Sequence, residues 1–448
     1  MSHATLCSST MHSMSASLPS YDEAAALVAA RAAEILAHKP GIELVDLAAA
    51  QGRVLAQPIM ADRDMPSFPR STRDGFACRA SEASTHTPLT VAGSIRAGDP
   101  PAGPLPASSV WEIMTGAAVP PGADAVAMLE HIEHLEHVEH IDGKIRLVPP
   151  RTLEPGENVV PEGAEARAGD EIVPTGTRLN PASIAAAATC GYAALEVFAK
   201  PRVAILTTGD ELVPVTEVPA PGQIRNSNAT MLAALVSQAG GEPWILPAAV
   251  DTAEAIESAL REAMQADLIL ISGGVSAGKF DLVEPALARL GANVHFTGVR
   301  IQPGKPLVYC QVPRSARPAP RSANPNPRSG DSLPVQVFGL PGNPISSAAT
   351  FLLFAAPVLA ALSGSSEACP RFSVALLGRE VKGKPDLTRF VPSACTFHPL
   401  NSANLEVAPV NWQGSGDIAA FAHANCFVAV AEGIDKLSAG ELVRILPF

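Results

Sequence analysis

Between residues 200 and 362 the chain alternates short apolar runs with amphipathic or Ala-rich stretches. "RVAILTTG", "DLILISGG" and "VQVFGL" are runs of Val, Ile and Leu with almost no polar alternation. Such runs suit strands buried on both faces, and burial on both faces requires covering helices. "NATMLAALVSQAG", "AEAIESALREAMQ" and "DLVEPALARLG" supply them. The pattern predicts a parallel, doubly wound α/β sheet over 199–362. It also restricts where a ligand can sit, because open sheets of this kind bind in the crevice beyond the carboxyl ends of their strands.

Three loops are expected at that edge: "TTGDEL" (207–212), "SGGVSAGKFD" (272–281) and "GLPGNPISS" (339–347). Gly reaches backbone angles closed to other residues and Pro fixes them. Ser272, Gly273, Gly274, Pro341, Gly342, Asn343 and the N–H groups near Ser346 are therefore read as an anion cradle at a helix N-terminus. Thr208 and Gly209 belong to the same edge. Asp210, Glu211, Asp251 and Asp281 all fall at strand ends; acids beside a phosphate cradle make sense when a divalent cation lies between them. Helix N-capping is the simpler role for Asp210 and Asp251. Lys305, pinned in "RIQPGKPLVY" before Pro306, is placed to meet an anion.

The flanking regions have other textures. Residues 1–19 are polar, lack an apolar signal core and are expected to be disordered. A helix is expected over 21–38 and another over 181–192, and 20–60 with 165–198 are read as one N-terminal helical and linker domain. Residues 61–164 carry short β-runs broken by Pro and Gly, a β-rich domain. Residues 363–448 return to β and predict a small C-terminal barrel. "PRSARPAPRSANPNPRSGDSL" (313–333) reads as a mobile insertion between two strands. No apolar run reaches about 18 residues, so no membrane span is expected; "ATFLLFAAPVLAAL" reads as a buried helix bent at Pro357. The net charge of −12 disfavours nucleic acid and acidic membranes. Seven Cys without C-x-x-C spacing suit a reducing compartment, and a cytoplasmic location is expected. In "EHIEHLEHVEH" His131, His134, His137 and His140 recur every third residue, which places them on one side of neither a helix nor a strand. A solvated hairpin arm is the preferred reading over a metal site.

"TRDGFA", "IMTGAAVPPGADAV", "LTTGDEL", "SGGVSAGKFD", "QPGKP" and "GLPGNPIS", in that order, resemble the molybdopterin molybdenumtransferase family, bacterial relatives of the gephyrin E domain. The resemblance runs from about residue 20 to the C-terminus. It implies an elongated N-terminal module, an α/β molybdopterin-binding domain and a C-terminal β-barrel. It also implies a reaction: Mg²⁺-dependent hydrolysis of adenylylated molybdopterin, with insertion of molybdate into the dithiolene and release of AMP. Carried over motif by motif, the catalytic candidates are Asp281, Ser276, Glu211, Asp74, Thr115 and Lys305. Asp281, Glu211 and Asp251 are the metal candidates. Thr208, Gly209, Asp210, Asp251, Ser272, Gly273, Gly274, Pro306, Pro341, Gly342, Asn343, Ser346 and Ser415 (in "WQGSGDI") are the ligand-binding candidates. The resemblance implies a homodimer in which Asp74 and Thr115 reach the partner's α/β domain. A molybdopterin adenylyltransferase and recipient molybdoenzymes are candidate partners. Departures from the family pattern are Gln302 in place of a Lys, which leaves the molybdate site either weaker or borrowing Arg300; Arg70, Arg73 and Phe76 in "RSTRDGF"; and Arg389 as the stand-in for a family Arg. Two alternatives remain. An adenylyltransferase shares the α/β domain but lacks the β-rich one. A gephyrin-like scaffold has no need of Asp281 and Lys305.

Overall fold

A computed structural model describes residues 18–83, 86–135, 143–274, 282–314, 333–397 and 405–448. The α/β unit is built on a six-stranded sheet. Its spatial order is Glu242–Ile245, Arg202–Thr207, Leu268–Ser272, Val335–Leu340, Val308–Val312, Asn293–Phe296. The first four are parallel, as the alternation of strand and helix requires. Val308–Val312 runs opposite to both of its neighbours, so the sheet is mixed. The reason is connectivity. A parallel neighbour needs a crossover, commonly a helix, and no helix lies between Phe296 and Val308. Residues 313–334 then join two adjacent antiparallel strands. The neck of this connection is closed by Arg314, which donates to the Leu333 carbonyl at 2.8 Å and to Asp267 at 2.9 Å. Residues 315–332, most of the expected insertion, lie outside the described residues.

The last helix of this unit runs from Pro344 to Leu362, and 78% of its most apolar stretch is buried. It is long and apolar enough to cross a membrane, longer than the sequence pattern suggested, yet its apolar side chains are core. It does not simply bend at Pro357. Residues Phe351–Ala355 form a π-helical turn between two α-helical segments. Pro357 has no N–H and its ring collides with a regular helical carbonyl four residues back; widening the preceding turn relieves that conflict. The helix Tyr21–Leu36 lies against this same core. It is opened by a Ser20–Glu23 capping box, and its Tyr21 ring sits 6.0 Å from Phe354 and 5.3 Å from Phe390.

Residues 42–60 and 171–198 form small antiparallel pairings, Ile42–Asp46 with Ala194–Phe198 and Ile59–Met60 with Glu171–Val173. Between them sits a β-rich unit whose six-stranded sheet has Gly75–Cys78 flanked by Ala125–Met128 and Ser109–Ile113. Ile132–His134 is an outer strand of it, paired with Lys144–Leu147. This is the hairpin arm read from the His-Glu repeat; His134 stands edge-on to Phe76 at 5.9 Å. His137 and His140 lie outside the described residues. The C-terminal unit is a closed barrel of five strands. Thr388–Phe397 pairs with both Leu405–Pro409 and Cys426–Val430, which closes the sheet on itself.

Candidate active site

The parallel register aligns three strand ends. Thr207 pairs with Ser272, and Ser272 with Leu340. The loops that follow are therefore side by side at one edge of the sheet. Between them opens a cavity of about 740 Å³. Its walls include Thr208, Gly209, Glu211, Asp251, Ser272, Gly273, Gly274, Pro306, Pro341, Gly342 and Asn343. All eleven were singled out from sequence. Gly416 and Ile418 of the C-terminal unit form part of the rim.

The glycines here are steric necessities. Gly273 and Gly274 have φ of +99° and +65°. A Cβ on Gly273 would stand 2.6 Å from the Thr208 carbonyl oxygen, and one on Gly274 2.9 Å from Thr208 Oγ1. The turn is thus pressed onto Thr208. Thr208 is buried, and its hydroxyl has no hydrogen-bond partner among the described residues. A buried polar atom left unpaired costs about 1–3 kcal/mol, so its persistence beside a cavity points to function. Asn343 opens the helix that starts at Pro344. Its side chain donates to Ser415 Oγ at 2.8 Å, while the Ile345 N–H donates to the Ser415 carbonyl at 3.1 Å. Ser415 therefore fastens the C-terminal unit to the "GNPIS" turn. Ser346 is buried one turn into the helix and is not part of the cavity wall.

Three acids gather at one side of the cavity. Asp210 accepts the Asp251 N–H at 3.1 Å. Burial first, and then the negative charges of Asp210 and Glu211, push the Asp251 carboxyl above the usual carboxylate range. Neither Asp210 nor Asp251 caps a helix. Thr252 caps the helix Ala253–Ala263, accepting from Ala255 N–H at 3.3 Å, and Asn226 caps the helix Ser227–Gln238. Among the described residues no three ligating side chains are close enough to hold a metal by themselves. Glu211 and Asp251 nonetheless suit a hard cation, since the negative charge of Glu211 adds to the cost of ionising Asp251. Ser276 and Asp281, the remaining candidates of this loop, lie outside the described residues.

An expectation follows. The native state binds the Asp251 proton more tightly than the unfolded chain does, so ionising this carboxyl costs stability as pH rises through its raised pKa. Asp251→Asn should melt at or slightly above wild type near neutral pH without added cation, and the gain should vanish in acid below the ordinary carboxylate range. Adding Mg²⁺ should raise the melting temperature of wild type more than that of the variant. Equal Mg²⁺ shifts in a thermal-melt series would remove Asp251 from the cation site.

The other candidates are distributed differently. Asp74 and Thr115, 41 residues apart in sequence, meet in the β-rich unit: Asp74 Oδ1 accepts the Thr115 N–H at 2.6 Å and its hydroxyl at 2.8 Å. These two bonds, the backbone one first, hold the Asp74 carboxyl below its ordinary range. Lys305 is exposed and stands beside the cavity wall at Pro306 without lining it. Gln302 and Arg389 are neighbours on paired strands. Both Gln302 Oε1 and Arg389 Nε are buried without a partner among the described residues. Arg300 pairs with Glu432 at 3.1 Å. Arg389, rather than Arg300, is thus the cation next to the position where Gln302 replaces Lys.

Sequence reasoning missed "RNSN" (225–228). Arg225, Asn226, Ser227 and Asn228 all line the cavity. Asn226 Nδ2 donates to Thr207 Oγ1 at 2.8 Å, and Asn228 Nδ2 donates to Ser272 Oγ at 2.8 Å and to the Gly342 carbonyl at 2.6 Å. The available signal was an Asn N-cap directly before an apolar helix.

Comparison with known proteins places the chain among relatives along most of its length. Family models described as "MoeA N-terminal region (domain I and II)", "Probable molybdopterin binding domain" and "MoeA C-terminal region (domain IV)" match residues 19–191, 204–361 and 374–448. The molybdopterin molybdenumtransferase of Nostoc sp. is 38% identical over 328 residues, covering 72% of this chain and 70% of that protein. The one from Haemophilus influenzae is 32% identical over 412 residues, covering 91% and 94%. The crystal structure of the molybdopterin biosynthesis moeA protein from Pyrococcus horikoshii OT3 superposes with a TM-score of 0.72 at 26% identity, over 96% of this chain and 100% of that one.

Proposed function

This chain belongs to the molybdopterin molybdenumtransferase family, enzymes of molybdenum cofactor biosynthesis, and from that premise we propose that its cavity takes adenylylated molybdopterin and molybdate, cleaves the phosphoanhydride and yields molybdenum cofactor and AMP. One observation carries the reading. A single cavity combines a tight glycine turn, an unpaired buried hydroxyl at Thr208 and carboxylates on one side. That combination suits a phosphoanhydride, whose hydrolysis depends mainly on positioning and charge neutralisation.

The N–H groups at the start of the helix Ser227–Gln238 offer donors and partial positive charge to the phosphates. Ser272 and Thr208 add hydroxyls from the strand ends. Glu211, Asp251 and Asp281 would hold Mg²⁺, which when bound supplies charge neutralisation and Lewis acidity at the anhydride. No nucleophilic side chain is required. Lys305, next to Pro306 of the cavity wall, and Ser415, bonded to Asn343, suit the molybdate oxyanion, with Arg389 beside Gln302 as a further cation. Asp74 and Thr115 belong to a different unit, and they serve this cavity from the partner subunit of a homodimer.

The test is direct. Adenylylated molybdopterin, Mg²⁺ and molybdate should yield AMP in proportion to the molybdenum cofactor formed. Release of AMP should fall to background when Mg²⁺ is chelated. Cofactor formation without AMP, or none at all with folded protein, would overturn the reading.

A further inference from the structure

We infer that Asn228 is a positioning residue of this reaction, a clamp that sets the spacing of the two turns between which the ligand lies. Hydrogen-bond polarity fixes the orientation of its amide. The Gly342 carbonyl can only accept, so the Asn228 atom 2.6 Å from it must be the amide nitrogen. That contact orients the amide without ambiguity. Its second hydrogen goes to Ser272 Oγ at 2.8 Å. One side chain on the helix Ser227–Gln238 thereby joins the end of the strand Leu268–Ser272 to the turn after Val335–Leu340. Both turns line the cavity. Because Ser272 Oγ accepts from Asn228, its own proton is free for another acceptor.

Asn226, two residues earlier, is the informative contrast. Its amide nitrogen donates to Thr207 Oγ1 and its oxygen accepts the Ala229 N–H at 3.2 Å. Asn226 is satisfied on both sides, as expected of a structural cap. Asn228 is not: its Oδ1 is buried with no partner among the described residues. An unpaired buried carbonyl opposes folding. Asn at 228 is therefore accounted for by its two donated bonds and what they position, not by a gain in stability.

The inference rests on the reading of the cavity given above, and the experiment separates the two. Full-length wild type, Asn226→Ala, Asn228→Ala and Asn228→Asp are compared in melting temperature, in KM and kcat for adenylylated molybdopterin, and in separate dissociation constants for molybdopterin and AMP. Asn226→Ala should lower the melting temperature through loss of its cap. Asn228→Ala should stay within about 2 °C of wild type, because loss of two bonds is offset by removal of the unpaired oxygen. Its KM should nevertheless rise about tenfold or more with a smaller change in kcat. Asn228→Asp, which sets a carboxylate oxygen against the Gly342 carbonyl, should bind more weakly still. Wild-type binding and KM in both Asn228 variants would overturn the clamp, as would a fall in melting temperature for Asn228→Ala matching that of Asn226→Ala. A wild type that binds molybdopterin or AMP, with the variants weakened in the stated order, but releases no AMP would leave the clamp standing and remove the proposed reaction. A wild type that binds neither ligand would overturn both.

Discussion

Asp281→Asn should reduce molybdate-dependent AMP release by roughly 10²- to 10³-fold, the scale of losing one group that stabilises charge developing in a transition state. Asp281 closes the Gly-rich loop that begins at Ser272. Glu211 and Asp251, the other two carboxylates assigned to the cation, line the cavity. Asn is nearly isosteric with Asp, so folding and binding of the adenylylated ligand should survive. Asn cannot supply the negative charge that a divalent cation needs. The measurement is AMP release at saturating ligand, with the ligand dissociation constant recorded in parallel. Turnover at the wild-type rate would remove Asp281 from the mechanism. Loss of binding with unchanged turnover of bound ligand would make it a binding residue only.

The second large effect is a recovery of activity. Asp74 and Thr115 form one hydrogen-bonded pair on the β-rich unit, while the cavity lies at the strand ends of the α/β unit. In a closed two-fold dimer each cavity can be completed by the partner's pair. Asp74→Asn and Asp281→Asn should each be inactive as homodimers. Mixed dimers would then hold one site with both lesions and one with neither. At equal ratio about half the dimers are mixed, so activity should return to about one quarter of wild type by symmetry. Subunit exchange is verified by mass. No recovery after verified exchange would mean that each chain supplies its own Asp74 and Thr115, or that the pair does not serve the cavity.

Much of this architecture was legible because its signals are local. A buried parallel strand must be an unbroken apolar run, and a glycine at positive φ has few substitutes. Gly273 and Gly274 could therefore be assigned to a turn, and the three loops to one edge, before any contact was known. The six ordered motifs led to the family for the same reason: each is a short stretch whose backbone shape its own residues dictate.

Other features depended on partners distant in sequence. "RNSN" reads as an ordinary helix start; only folding brings Asn228 to Ser272 and Gly342, 44 and 114 residues away. Asp210 and Asp251 have good capping chemistry, yet Thr252 occupies the cap and leaves Asp251 to face Asp210 and Glu211. The reversed strand Val308–Val312 carries the same apolar run as a parallel one, because strand direction is a property of its connections and not of its side chains. Arg300 and Arg389 are equally basic in sequence. Glu432 engages the first, while strand pairing sets the second beside Gln302. Composition and periodicity thus determined which segments are strands, helices and tight turns, since those preferences act within a few residues. Tertiary structure alone decided which polar groups are left unpaired around the cavity, because hydrogen-bond satisfaction depends on every group that folding brings within reach.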